Sequence, residues 1–115
     1  MIEKTVLDYL AEELDVPVYM QEPDNPRPEE ANTFVVMEKT GSSKDNRIFT
    51  STIAIQSYAP TLYEAASLNE TVKTAMDGIT SLDGISSVAL NSDYAYIKTA
   101  TKQPRYQAVF DLTHY

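Results

Sequence analysis

The chain has no cysteine and no tryptophan, only three glycines, and a single histidine, His114. Without cysteine, a disulfide framework, thiolate-bound zinc and thiol catalysis are all excluded. The glycines, Gly41, Gly78 and Gly84, stand apart from one another, so no glycine-rich loop exists to cradle a phosphate. His114 reads as a surface residue on an edge strand. The sequence offers no nucleophile to pair with it, and a Ser/His/Asp arrangement is not expected. Long apolar runs are missing too, and each falls far short of the ~20 residues needed to span a bilayer. The stretch MIEKTVLDYLAEEL carries acids through its apolar positions, so it lacks the uninterrupted core of a signal peptide. Positive charge is scarce: 9 Lys and Arg face 17 Asp and Glu, a net charge of −8. Free nucleic-acid binding, which rests on neutralising phosphates, is therefore not expected.

What remains is an ordinary globular composition, 43% hydrophobic and 23% charged over 115 residues. This fits a single domain, 1–115, with roughly two thirds of the unfolded surface buried. The charge is unevenly spread. Acids dominate residues 1–30, while basic residues gather around Lys39, Lys44 and Arg47 and again around Lys98, Lys102 and Arg105. Each charge alone reads as a solvated side chain. Together they describe a molecule with an acidic end and basic loop tips, suited to head-to-tail contact with its own copies. The candidate contact residues are Asp24, Arg27, Glu29, Glu30, Lys44, Asp45, Arg47, Lys98, Lys102 and Arg105. Asp24, Glu29 and Glu30 match no calcium-loop spacing, so no metal or other cofactor is expected.

Periodicity supplies the elements. Ile2, Val6, Leu10 and Leu14 recur at helical spacing, and Asp15-Val16-Pro17 stops that helix. VPVYM is a short extended piece. QEPDNPRPEEAN, residues 21–32, has three prolines and no large apolar residue, and reads as an exposed loop. TFVVMEKTG (33–41) and RIFTSTIAIQSY (47–58) alternate as strands and form an antiparallel hairpin with SSKDN as its turn. Thr61-Leu62-Tyr63-Glu64 fits a capping box, and opens a helix with the stripe Ala65, Leu68, Val72, Ala75, Met76 and Ile79. Gly78 is placed for a left-handed C-cap. ISSVALNSDYAYIKT (85–99) is extended, with a break at Asn91–Asp93, and YQAVFDLTHY (106–115) is a last strand. The order α-β-β-β-α-β-β implies an α+β domain, a mostly antiparallel sheet with two helices packed on one face.

The junction IAIQSYAPTLYEAASL (53–68) is sharply defined yet carries no chemistry, and it bears on recognition. With the hairpin segment VMEKTG, the loop QEPDNPRP and the closing strand RYQAVFDL, it resembles the tail terminator, or tail-completion, proteins of long-tailed phages and the related head–tail joining proteins. The resemblance covers nearly the whole chain through loose motifs. It implies a virion structural protein without catalysis, assembled in the bacterial host cytoplasm. Such proteins form a ring, typically of six copies, that caps the tail tube and stops its growth. The implied partners are the ring's own copies, the major tail-tube protein and the head-completion or connector protein. DNA passes through the lumen, and an acidic wall keeps it from sticking. No membrane partner is implied.

Two readings of other classes stand beside this one. A small-molecule enzyme or ligand-binding domain needs convergent polar groups in a pocket, and the sequence shows no such set. An adaptor acting by strand addition would use an edge formed by residues 106–115.

Overall fold

The structure, a computed structural model, describes residues 1–21, 33–98 and 103–115, with backbone alone at 96–98 and 103. The elements follow as α1 (Ile2–Glu13), β1 (Val18–Tyr19), β2 (Phe34–Asp45), β3 (Ile48–Tyr58), α2 (Leu62–Asp77), a 3-10 turn at Ile79–Ser81, β4 (Ile85–Lys98) and β5 (Gln103–His114). One five-stranded sheet has the order β1-β2-β3-β5-β4. Only the β1–β2 pairing is parallel. The chain is thus the expected α+β domain. The loop expected at 21–32 lies, beyond Gln21, outside the described residues.

The two helices lie on one face. Val6, Leu10 and Leu14 of the α1 segment meet Val72, Met76 and Ile79 of the α2 segment over Val35, Met37, Ile53, Ile55, Ala108, Phe110 and Leu112 of the sheet. Alternation along each strand makes this possible, because every second side chain of β2, β3 and β5 points to the same layer. The other face carries Phe34 stacked on Tyr58 at 4.6 Å, with Tyr19 edge-on to Phe34 at 5.9 Å. It continues as a polar ladder. Gln56 donates to Gln107 at 2.9 Å, Gln107 to Tyr94 at 2.5 Å, and Thr52 and Asn91 both donate to Asp111.

Helix α2 starts as its sequence dictates. The N–H of Glu64 donates to Thr61 Oγ1 at 3.1 Å, satisfying one of the orphan amides of the first turn. Its end differs from expectation. Gly78 is right-handed (φ −90°), not left-handed, because the chain runs on into the 3-10 turn. Glycine there eases a close approach instead, since any Cβ would push the Tyr9 side chain aside. A Cβ would sit 2.9 Å from the Tyr9 hydroxyl, which donates to the Ala75 carbonyl at 2.6 Å and ties α1 to the end of α2.

The hairpin turn also differs. The turn is tighter than SSKDN: β2 continues through Asp45, and the reversal is made by Asn46, the last residue of that segment, together with Arg47, both at positive φ (54° and 70°). A bulge between Lys39 and Gly41 resets the register, and pairing then holds to Asp45↔Ile48. In β4, the expected break at Asn91–Asp93 is a register shift between Leu90 and Ser92. β5, expected to be an edge, lies between β3 and β4, so the free edge on that side belongs to β4. A strand-addition site at 106–115 is thereby ruled out, since both sides of β5 are already paired.

Candidate functional site

The distal half of the β2–β3 hairpin is the longest continuous exposed stretch among the described residues. Everything from Glu38 through Ile48 is exposed. It carries three expected contact residues, Lys44, Asp45 and Arg47, within one turn of chain. Lys44 lies over the Phe49 ring, its Nζ 5.2 Å from the centroid. The unusual backbone of Arg47 holds its side chain at the tip, in a conformation that glycine or asparagine adopts more readily.

The other expected contact residues divide. Lys98 is the last residue of β4, opposite Gln103, across the sheet from the hairpin turn. Asp24, Arg27, Glu29, Glu30 and Lys102 lie outside the described residues. Arg105 departs from the loop-tip group. It belongs to β5, is only 7% exposed, and is hydrogen-bonded through its guanidinium to the Tyr58 hydroxyl. Its place on the strand follows from β5 beginning at Gln103, three residues before the expected Tyr106. The separation of acidic end from basic loops is also incomplete within one molecule, because Glu3 of α1 lies 3.6 Å from Lys39 of β2.

Beneath the hairpin lies an open-sided cavity of about 350 Å³. Four parts of the chain build it: the first turn of α1 (Met1, Ile2, Glu3, Thr5), the hairpin (Lys39, Ser42, Phe49, Ser51), the turn into β4 (Asp83, Gly84, Ile85) and the end of β5 (His114, Tyr115). His114 is not a surface residue here. It is 8% exposed, stacked on Phe49 at 5.4 Å, and its Nε2 shares a 2.8 Å hydrogen bond with Ser51 Oγ. The sequence hides this pair because the two residues are 63 positions apart and meet only through the register of β3 on β5. Among the described residues, nothing hydrogen-bonds to the other ring nitrogen. The pair therefore supplies hydrogen-bonding groups to a lining that mixes apolar Ile2, Phe49 and Ile85 with charged Glu3, Lys39 and Asp83.

Two further groups escaped sequence reasoning. Lys73 of α2 bridges Glu70 at 2.7 Å and Asp93 of β4 at 2.9 Å, and these hydrogen bonds hold its pKa above the ordinary lysine value. Asn69 sits in the apolar stripe of α2, 1% exposed, with its Oδ1 lacking a partner. Helical spacing marked its neighbours Leu68 and Val72 as core, and nothing in that spacing distinguishes a buried asparagine from a solvated one.

No group of three or more His, Asp or Glu able to hold a metal occurs among the described residues. No helix among them is long and apolar enough to cross a membrane. Comparison with known proteins finds no matching family model and no significant match among curated proteins.

Proposed function

We propose that this chain is a tail terminator of a long-tailed phage, a non-enzymatic structural subunit of the virion at the head–tail junction. Copies of the chain close into a ring, six in number, on the end of the tail tube. The ring stops addition of the major tail-tube protein and presents its far side to the head-completion or connector protein. Genome DNA passes through the lumen without being specifically bound. The supporting observation is the division of labour in the hairpin. One continuous pair of strands is core at its base and a charged, exposed projection at its tip, as a subunit that must grip neighbours requires. The segments that carry the resemblance, VMEKTG and the IAIQSYAPTLYEAASL junction, lie in this hairpin and in the helix that follows it.

The test is electron microscopy of tails assembled with and without the protein. Tails of uniform length with a ring at one end support the reading. Tubes that grow to the same lengths without the protein would sink it. The genomic neighbourhood gives an independent check, since a terminator gene is expected just before the major tail-tube gene.

A further inference from the structure

We propose that the cavity beneath the hairpin receives the Tyr63 side chain of a second copy of this chain, making the head-to-tail contact of the ring. The proposal rests on the ring reading above and names the surfaces that would close it.

The knob is unusual among the described residues. Tyr63 is 82% exposed, and its neighbour Leu62 is 42% exposed. Both stand on the first turn of α2, which Thr61 caps and which is therefore fixed in place. A large aromatic this exposed buries little area within its own fold, and with only two side-chain torsions it loses little conformational entropy when it docks.

The hole matches a phenol. Its lining mixes apolar Ile2, Phe49 and Ile85 with polar and charged side chains, as an aromatic ring with a hydroxyl suits, and a phenol ring fits a volume of about 350 Å³. His114 is part of that lining, more than nine-tenths buried, with one ring nitrogen unengaged among the described residues. A tyrosine hydroxyl would supply that partner, where an aliphatic side chain would leave it empty.

Geometry and charge place the two features for contact between different molecules. Tyr63 follows the C-terminal end of β3, whereas Phe49 and Ser51 of the cavity lie at its start. The nine residue steps from Phe49 to Tyr58 span about 30 Å. A chain cannot fill its own cavity with its own knob, so the contact joins different molecules; repeated head to tail it propagates into a ring or an open chain, whereas a reciprocal exchange would stop at a two-fold dimer. Glu64 accompanies Tyr63 in the first turn of α2, and Lys44 lies over the Phe49 wall of the cavity. Docking with that carboxylate beside Lys44, rather than beside Glu3 or Asp83 of the lining, is the orientation that charge favours.

Two variants test the contact by sedimentation velocity across micromolar to about 1 mM, the effective concentration expected on a tube end. Tyr63→Ala removes the knob. Ser42→Trp fills the hole from an exposed position on β2. Circular dichroism and urea midpoints check that both fold. Wild-type protein should form species larger than a dimer within this range, and each variant should associate roughly thirtyfold more weakly. An equimolar mixture of the variants retains one intact knob and one intact hole, so it should form dimers and stop there. Wild-type protein no larger than a dimer at the top of the range overturns the head-to-tail contact, as does either variant associating like wild type, or a mixture that fails to dimerise. A small molecule found in the cavity by native mass spectrometry, with association unaffected by Ser42→Trp, assigns the cavity to that ligand and likewise overturns it. Tails capped normally by Tyr63→Ala would remove the contact and leave the terminator reading standing. Association that behaves as expected in protein unable to cap tails would do the reverse.

Discussion

The two halves of the β2–β3 hairpin obey different physics on one continuous ladder. At the base, Phe34 through Met37 are buried in unbroken succession, and both faces of the strand are covered. At the tip, Glu38 through Asp45 are all exposed, although backbone pairing continues to Asp45↔Ile48. Side-chain burial supplies most of the free energy of folding, while the net worth of each exposed backbone hydrogen bond is small. The base is therefore where the hairpin is stabilised. The tip is held in shape mainly by its connection to that base. A segment with little role in stability is free to carry charge and an unusual turn, which is what a contact surface needs.

The sharpest way to break this comparison uses one residue type twice on one strand. Ile55 is fully buried opposite Met37, and Ile48 is 39% exposed at the tip. Ile55→Ala is expected to cost about 2–5 kcal/mol, from lost transfer energy and a residual cavity. Ile48→Ala should stay within about 0.5–1 kcal/mol. Urea midpoints measure both, and similar losses at the two sites would show that the tip belongs to the core.

A middle-sized effect is expected where the helices are tied together above the base. Tyr9→Phe removes the hydrogen bond to the Ala75 carbonyl, at a cost of about 1 kcal/mol. The same tyrosine makes stability depend on alkaline pH. Burial, and secondarily the Glu13 carboxylate, raise its pKa above the ordinary value. The folded chain thus keeps this proton at a pH where the unfolded chain has released it. The stabilising contribution is complete below about pH 10 and is lost as pH rises through the folded-state value. Lys73, its pKa raised by hydrogen bonds to Glu70 and Asp93, acts in the same direction. Stability should fall above pH 10 in the wild type, and less steeply in Tyr9→Phe. Identical alkaline slopes for the two proteins would remove Tyr9 from this account.

Much of the base was readable in the sequence, and most of the tip was not. The alternation Val35, Met37 and Ile53, Ile55 marks two strands because burial on one face imposes a period of two. The Thr61 cap was readable because its geometry is local. The bulge after Lys39 and the narrowing of the turn to Asn46-Arg47 were not, since an exposed strand has no apolar pattern to fix its register and the Ser, Asp and Asn of SSKDN all carry turn chemistry. Leu68 shows a subtler limit. It falls on the helical stripe, yet is only partly buried against the core, so helical spacing overstated its share. The cavity was hidden for a different reason. Its Ser51–His114 pair depends on β5 lying beside β3 inside the sheet, a matter of strand order on which local pattern is silent.

At the tip itself, a small gain is expected from relieving backbone strain. Arg47 holds φ at 70°, a conformation that costs a non-glycine residue on the order of 1 kcal/mol. Arg47→Gly recovers part of this and gives some of it back in unfolded-chain entropy, for a net stabilisation of about 0.5 kcal/mol. A thermal midpoint lowered by the substitution would show that the arginine side chain, not the turn, holds the tip.

The smallest effect on stability should accompany the largest effect on assembly. Reversing Lys44 and Arg47 to Glu changes two exposed side chains at the tip. Exposed ion pairs contribute only about 0–1 kcal/mol and are screened by salt, so the urea midpoint should move by less than about 0.5 kcal/mol. In a ring, the same two charges would meet acidic groups of a neighbour once per interface, and the mismatch would repeat at every contact around the circle. Charge of this kind governs encounter rate and orientation more than final affinity. Capping should therefore slow at low salt, giving a broader tail-length distribution by electron microscopy, and recover in part as salt screens the repulsion. Circular dichroism provides the folding control. Normal tail lengths from the folded, charge-reversed protein at both low and moderate salt would show that the tip does not steer assembly. Tyr63 and the cavity would then have to set register without electrostatic help, and the terminator reading would survive the loss of this one device.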